Sequence, residues 1–390
     1  MKRDTVLVTA GRDPHANHGV VNPPVYHAST ITFRTVAELE AKSRDRFKAG
    51  VTYYGRYGTP TTFAFEEAVA AAEGGARAIA FGSGKAAIVA ALTAFVEAGD
   101  HVLMVDTAYG PTRALCERVL KRFGVETTYY DPLVGARIGE LIRPRTRVVF
   151  TESPGSQTFE VQDIPAIAEA AHQAGCVVVM DNTWASPHLF KPFAHGVDVS
   201  IQAATKYIVG HSDAMMGVVT TTEALHETVR AAAFDLGASA APDDVYLALR
   251  GLRTLAVRLE RHMRSALRIA EWLAGRPEVH RVLHPARPGD AGHALWRRDF
   301  LGASGLFGVI LEPAPKAALA AMLDRLELFA MGYSWGGYES LIVPTDPAPL
   351  RTATRWQAPG PSLRLHVGLE DPDDLIADLE AGFARLNAAR

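Results

Sequence analysis

The stretch Cys176-Val177-Val178-Val179-Met180-Asp181 decides the fold. It is an apolar, β-branched run without polar alternation, and it stops at a carboxylate. A strand with one face in water would alternate, so an unbroken run predicts burial on both faces, as in a parallel sheet. The same grammar recurs on either side of it. Strand-like runs fall at Ala76–Phe81, His101–Asp106, Val125–Tyr130, Arg147–Thr151, Val197–Ile201 and Gly217–Thr221. Helical segments at Phe63–Ala72, Lys85–Glu97 and about Pro111–Phe123 are each stopped by glycine: Gly74-Gly75, Gly99 and Gly124. Helices between strands imply crossovers and a mainly parallel sheet.

Beyond this block the pattern changes. Residues 1–60 show no sustained periodicity and are rich in Pro, Gly, Thr and Tyr, as in Tyr53-Tyr54-Gly55-Arg56-Tyr57-Gly58, so they read as an extended arm. One long helix is predicted from Asp243 to Leu273, with an arginine series from Arg250 to Arg268 on a solvated face or subunit contact. After it, strand-like Gly305–Leu311 and Leu363–Val367 alternate with helical Ala317–Leu326 and Asp373–Leu386, a smaller α+β region. The predicted division is an arm at 1–60, a large α/β domain at 61–250 and a C-terminal domain at 251–390.

Composition removes several classes of function. With 48% hydrophobic residues in 390, the chain can bury a sizeable core. Forty basic against 43 acidic residues leave a net charge of −3, which gives no field for nucleic acid or an anionic membrane. The apolar run Ala86–Val96 is too short to span a bilayer. Cys116 and Cys176 form no C-x-x-C pair and predict a reduced, cytoplasmic setting without disulfide or thiolate metal site.

Two motifs carry chemistry. Gly82-x-Gly84-x-x-Ala87 follows a strand and opens a helix, with Asp106 about twenty residues on. That spacing matches a dinucleotide fingerprint, although a helix N-terminus accepts any phosphate. The second is a pair. Asp181 closes one strand and Lys206 follows Val197-Asp198-Val199-Ser200-Ile201. An acid and an amine at neighbouring strand ends could hold the two ends of a pyridoxal ring, with the helix N-terminus for its phosphate.

At these residues the chain resembles the Cys/Met-metabolism pyridoxal-phosphate enzymes, and within them the bacterial cystathionine β-lyase branch. The lysine motif is Val197-Asp198-Val199-Ser200-Ile201-Gln202-Ala203-Ala204-Thr205-Lys206-Tyr207. Supporting segments are Tyr54-Gly55-Arg56-Tyr57-Gly58-Thr59, Glu152-Ser153-Pro154-Gly155-Ser156, Asp181-Asn182-Thr183-Trp184, Tyr333-Ser334-Trp335-Gly336-Gly337-Tyr338 and Arg364-Leu365-His366-Val367-Gly368. The resemblance implies the aspartate-aminotransferase-like fold of the pyridoxal-phosphate-dependent transferases. It also implies carbon–sulfur β-elimination and a homotetramer built from active dimers.

Carried over residue by residue, the resemblance makes Lys206 the cofactor-bearing lysine and the base that moves the Cα proton. Asp181 would pair with the pyridine nitrogen, and Tyr109 would stack on the ring and assist proton transfer. The amides of Gly84 and Lys85 and the hydroxyl of Thr205 would hold the phosphate, and Tyr54 and Arg56 would reach a neighbouring subunit's cofactor. Arg364 would clamp the substrate carboxylate, with Tyr333, Ser334 and Trp335 lining that pocket and Tyr54 touching substrate. Two positions depart from the family pattern: Ala203 replaces a common serine, and Lys85 stands where relatives carry an apolar side chain. Tyr333 fits β-cleavage, because γ-acting relatives typically place a glutamate there. Cysteine desulfhydrase or cysteine-conjugate β-lyase activity, γ-chemistry, and a dinucleotide-dependent oxidoreductase remain as alternatives.

Overall fold

The computed structural model describes residues 1–390. The arm carries two helices, α1 (Arg3–Thr9) and α2 (Val36–Arg44), among irregular segments. It is therefore not uniformly extended. Leu7 of α1 is buried in the main core, and Arg253 donates to the carbonyls of Leu7 and Ala10, which anchors the first turns. By contrast α2 buries none of its residues.

The large unit follows with α3 (Pro60–Glu73), β1 (Arg77–Phe81), α4 (Gly84–Thr93), β2 (His101–Val105), α5 (Gly110–Leu115) and β3 (Glu126–Tyr130). Next come β4 (Thr146–Glu152), α6 (Ile164–Gln173), β5 (Val177–Asp181), α7 (Ser186–Leu189), β6 (Val199–Gln202), β7 (Gly217–Thr221), α8 (His226–Asp235) and α9 (Pro242–Arg253). The seven strands lie in the order β1-β7-β6-β5-β4-β2-β3. Strands β6, β5, β4, β2 and β3 are mutually parallel, and β7 runs antiparallel to both β1 and β6. Two antiparallel steps restore direction, so β1 ends at the same edge as the parallel strands. Val178, Val179 and Met180 are completely buried, as the unbroken run predicted, and each such side chain contributes about 1.5–3 kcal/mol.

The predicted long helix is two helices, α9 and α10 (Leu255–Ala274), interrupted at Thr254 (φ −107°, ψ 8°). Close packing accompanies the break: a Cβ on Gly251 would lie 2.2 Å from the Ile208 carbonyl oxygen. The arginine face is also not simply solvated. Arg258 is buried and donates to the Gly251 carbonyl at 2.7 Å, and Arg261 reaches the Glu370 carbonyl at 3.0 Å. These arginines tie segments of one chain together.

The remainder comprises β8 (Val279–Leu283), α11 (His293–Asp299), β9 (Leu306–Leu311), α12 (Lys316–Leu323), β10 (Leu341–Thr345), β11 (Ser362–His366) and α13 (Pro372–Ala388). An antiparallel sheet, β10-β11-β9-β8, packs against α10, α12 and α13 around a second core that includes Ile269, Phe307, Met322 and Phe383. A boundary at 250 falls inside α9. No helix is long and apolar enough to cross a membrane.

Candidate active site

Because β4, β5 and β6 are adjacent and parallel, their carboxyl ends converge, with Glu152 opposite Asp181 and Asp181 opposite Ile201. Strand β1 ends at the same edge and delivers Gly82-Ser83-Gly84 into α4. From the other core, β11 brings Arg364 over this edge. The result is a cavity of about 420 Å³ lined by Gly84, Lys85, Tyr109, Asp181, Thr205, Lys206, Tyr333, Ser334, Trp335 and Arg364, among others. Ten predicted site residues from both cores thus share one pocket.

Lys206 donates from Nζ to the Ser334 hydroxyl at 2.7 Å and stands 5.4 Å from the Trp335 ring centre. Burial pushes its amine from 10.5 down to about 8; the Arg364 guanidinium adds to that and Asp181 opposes it. Ser334 also links the lysine to the arginine, since its carbonyl accepts from Arg364 Nη2 at 3.2 Å. It does so with φ +84°, a left-handed conformation costly for a side-chain-bearing residue. Tyr333 stands 93% exposed at the mouth, so it is not a core packing residue, whereas Trp335 packs on Tyr207 at 5.4 Å.

Asp181 accepts at Oδ1 from the Thr183 amide (3.0 Å) and hydroxyl (2.5 Å). Burial raises its pKa in spite of those bonds and of Lys206. A carboxylate so enclosed is relieved by a cation on its cavity side. At the other end, the first amides of α4, those of Gly84 and Lys85, have no intrahelical acceptor. Glycine at 84 is required by close approach: a Cβ there would lie 2.6 Å from the Ala203 Cβ. An anion cradle, an amine and an acid therefore face one cavity, and this set fits pyridoxal phosphate at its phosphate, carbonyl and pyridine nitrogen.

Other positions differ from the simple expectation. The Thr205 hydroxyl donates to the Met216 carbonyl at 3.0 Å and accepts from its amide at 2.9 Å, so its proton is already committed. Ser83 accepts from the Ala86 amide and keeps a free hydroxyl proton beside the cradle, where it can replace the serine missing at Ala203. Lys85 turns its amine to the Pro111 carbonyl instead of to solvent. Tyr54 and Arg56 do not join Lys206. They line a separate cavity of about 320 Å³, and Arg56 donates to the Phe234 carbonyl at 2.7 Å.

Glu152 and Thr183 also line the cavity, and the residue-level reading passed over both, although they lie in quoted segments. Glu152 accepts from the Tyr109 amide at 2.7 Å and so fixes the tyrosine's backbone. Burial and nearby Asp181 both push its pKa well up. Thr183 joins Asp181 to the Ala203 amide, which it receives at 2.9 Å. Their position at or just past parallel strand ends was the available signal. The dinucleotide reading fails at Asp106, whose fully buried carboxylate is occupied by Arg113 and residues 352–354 and cannot meet a ribose.

The fold and this cavity define a pyridoxal-phosphate enzyme of the two-sheet, aspartate-aminotransferase-like type. The model of the Cys/Met metabolism PLP-dependent enzyme family matches residues 4–384, and the chain belongs to that family. It is 51% identical to a putative cystathionine beta-lyase of Rhizobium johnstonii, covering 99% of this chain and 96% of that protein. It is 48% identical to the cystathionine beta-lyase MetC of Escherichia coli, covering 99% of each. Among solved structures, a cystathionine gamma synthase from Xanthomonas oryzae pv. oryzae is similar with a TM-score of 0.89 and 33% identity over 100% of both chains.

Proposed function

We propose that the protein is a pyridoxal-phosphate-dependent carbon–sulfur β-lyase that converts L-cystathionine and water to homocysteine, pyruvate and ammonia. The observation that carries the reading is the meeting of Lys206, Asp181 and Arg364, from different elements and both cores, around one cavity. Near-full-length identity to cystathionine β-lyases supports the substrate.

Bound pyridoxal phosphate supplies the sink for the electron pair left when the substrate Cα–H bond breaks. The protein does the rest. Arg364 binds the α-carboxylate through its planar fork and so orients the substrate. Lys206, with an amine already lowered to about 8, takes the Cα proton, and the Ser334 hydroxyl aims it. Asp181, held by Thr183, keeps the pyridine nitrogen protonated, and the α4 amides with Ser83 anchor the phosphate. Tyr109, fixed through its backbone by Glu152 and lining the cavity, would stack on the cofactor ring and assist proton transfer to the departing thiolate.

The arm serves a neighbouring subunit in this reading, in a homotetramer built from active dimers. The placement of Tyr54 and Arg56 in a cavity of their own supports it, as do the exposed Val20, Val21 and Tyr26. Two free, buried cysteines support a cytoplasmic location. Product analysis tests the chemistry. Pyruvate and homocysteine in equal amounts are expected from cystathionine, while 2-oxobutyrate with cysteine would refute β-cleavage.

A further inference from the structure

Asp106, just past β2, has a fully buried carboxylate with seven hydrogen bonds to other residues' donors. It accepts from the amides of Thr352 (2.9 Å), Ala353 (3.1 Å) and Thr354 (2.9 Å), and from the hydroxyls of Thr352 (2.9 Å) and Thr354 (3.0 Å). Its other oxygen also lies 3.2 Å from the Thr352 amide, and Arg113 Nη1 donates at 3.2 Å. Arg113 completes the ring by donating to the Thr352 hydroxyl at 3.0 Å. Arg351 pairs with Glu160, and Leu350 lies against Gly110.

The two sides of this contact belong to different cores. Residues 346–361 connect β10 to β11, and Arg364 lies two residues beyond the start of β11, paired with Val343 and Gly308. Asp106 lies three residues before Tyr109, and Arg113 projects from α5, the helix that Tyr109 precedes. A carboxylate this saturated does not titrate in the working range, since its hydrogen bonds outweigh burial and hold its pKa low. It is a permanent joint.

We infer that Asp106 is a positioning residue: by gripping residues 352–354 it fixes the β10–β11 connection to the large unit and so sets where Arg364 meets the substrate carboxylate relative to Lys206 and Tyr109. The inference rests on the reading of Arg364 as the carboxylate clamp. Chemistry of this kind is sensitive to small displacements, because misplacement by about 1 Å can cost 10²-fold.

The test uses holoenzyme and two ligands that differ only in the carboxylate, L-alanine and ethylamine, with dissociation constants read from the cofactor's absorption change. Asp106→Ala should weaken L-alanine about tenfold or more and leave ethylamine within about twofold. Residues 346–361 should exchange amide hydrogen faster. Thr352→Ala/Thr354→Ala removes the hydroxyls and keeps the amides, and should move both measurements in the same direction by a smaller amount; it decides the matter if Asp106→Ala does not fold. Asp106→Asn, which retains one acceptor oxygen, should recover part of the selectivity. Equal weakening of both ligands, or no change in either, overturns the inference. Arg364→Gln separates the two claims. If it keeps the alanine preference, the carboxylate reading falls and this inference with it. If it loses the preference while Asp106→Ala retains it, this inference alone falls.

Discussion

The amine of Lys206 must be neutral both to capture the cofactor and to act as a base, so its titration is a direct measure of the site. With its pKa at about 8, about a tenth of Lys206 is neutral at pH 7. At its usual 10.5 the neutral fraction would be about 300-fold smaller. Burial is the leading cause, Arg364 adds to it, and Asp181 pulls the other way. The rate at which cofactor-free protein captures pyridoxal phosphate, followed by stopped-flow absorbance and normalised to a simple alkylamine of ordinary pKa, should therefore stay level up to about pH 8 and then fall about tenfold per pH unit towards pH 10, as only the reference amine continues to deprotonate. The signs of two substitutions follow. Arg364→Gln removes a neighbouring positive charge, so the cationic form becomes easier to hold and the midpoint moves up. Asp181→Asn removes a negative one, and the midpoint moves down. A normalised rate that stays level to pH 10, or an Arg364→Gln midpoint that falls, would refute the electrostatic account of the site.

Two further outcomes follow from packing. Gly84→Ala forces the start of α4 away from Ala203, so the dissociation constant for pyridoxal phosphate should rise at least about tenfold with unchanged far-UV circular dichroism; unaltered affinity would remove the close-approach argument. Glu73→Ala leaves three buried donors, from Asn182, Ser200 and Gln202, without the carboxylate they share, and should cost about 3–5 kcal/mol in urea unfolding. A loss below about 1 kcal/mol would mean that the cluster repacks around the gap.

The sequence alone determined a mainly parallel sheet covered on both faces, because Val177-Val178-Val179 and its counterparts are tolerable only in that setting; the antiparallel run of β7, equally buried, was not legible. An acid and a lysine at neighbouring strand ends beside a glycine turn admitted pyridoxal phosphate without excluding a dinucleotide, and the family resemblance of the lysine motif decided between them. The interruption at Thr254 was not legible, since the apolar period continues through it and only the contact of Gly251 with residues 208–209 reveals the packing there. The Thr205 hydroxyl, expected to hold the phosphate, is committed to Met216 instead, and the direction of the Lys85 amine was not legible at all. Their partners, Met216 just before β7 and Pro111 in the first turn of α5, are set by how those elements pack at the sheet edge, and no local pattern encodes that.

Asp106 gives the clearest contrast. Its spacing from Gly82 and Gly84 suggested a ribose ligand, and spacing is a one-dimensional property. What an acid binds depends on which donors arrive in space, and here the donors are the amides of Thr352, Ala353 and Thr354, from a segment some 246 residues away. Residue type and periodicity fix which elements form and which chemistry is available. Only the tertiary structure, by spending each buried donor and acceptor on a particular partner, decides which of those residues remain free to act.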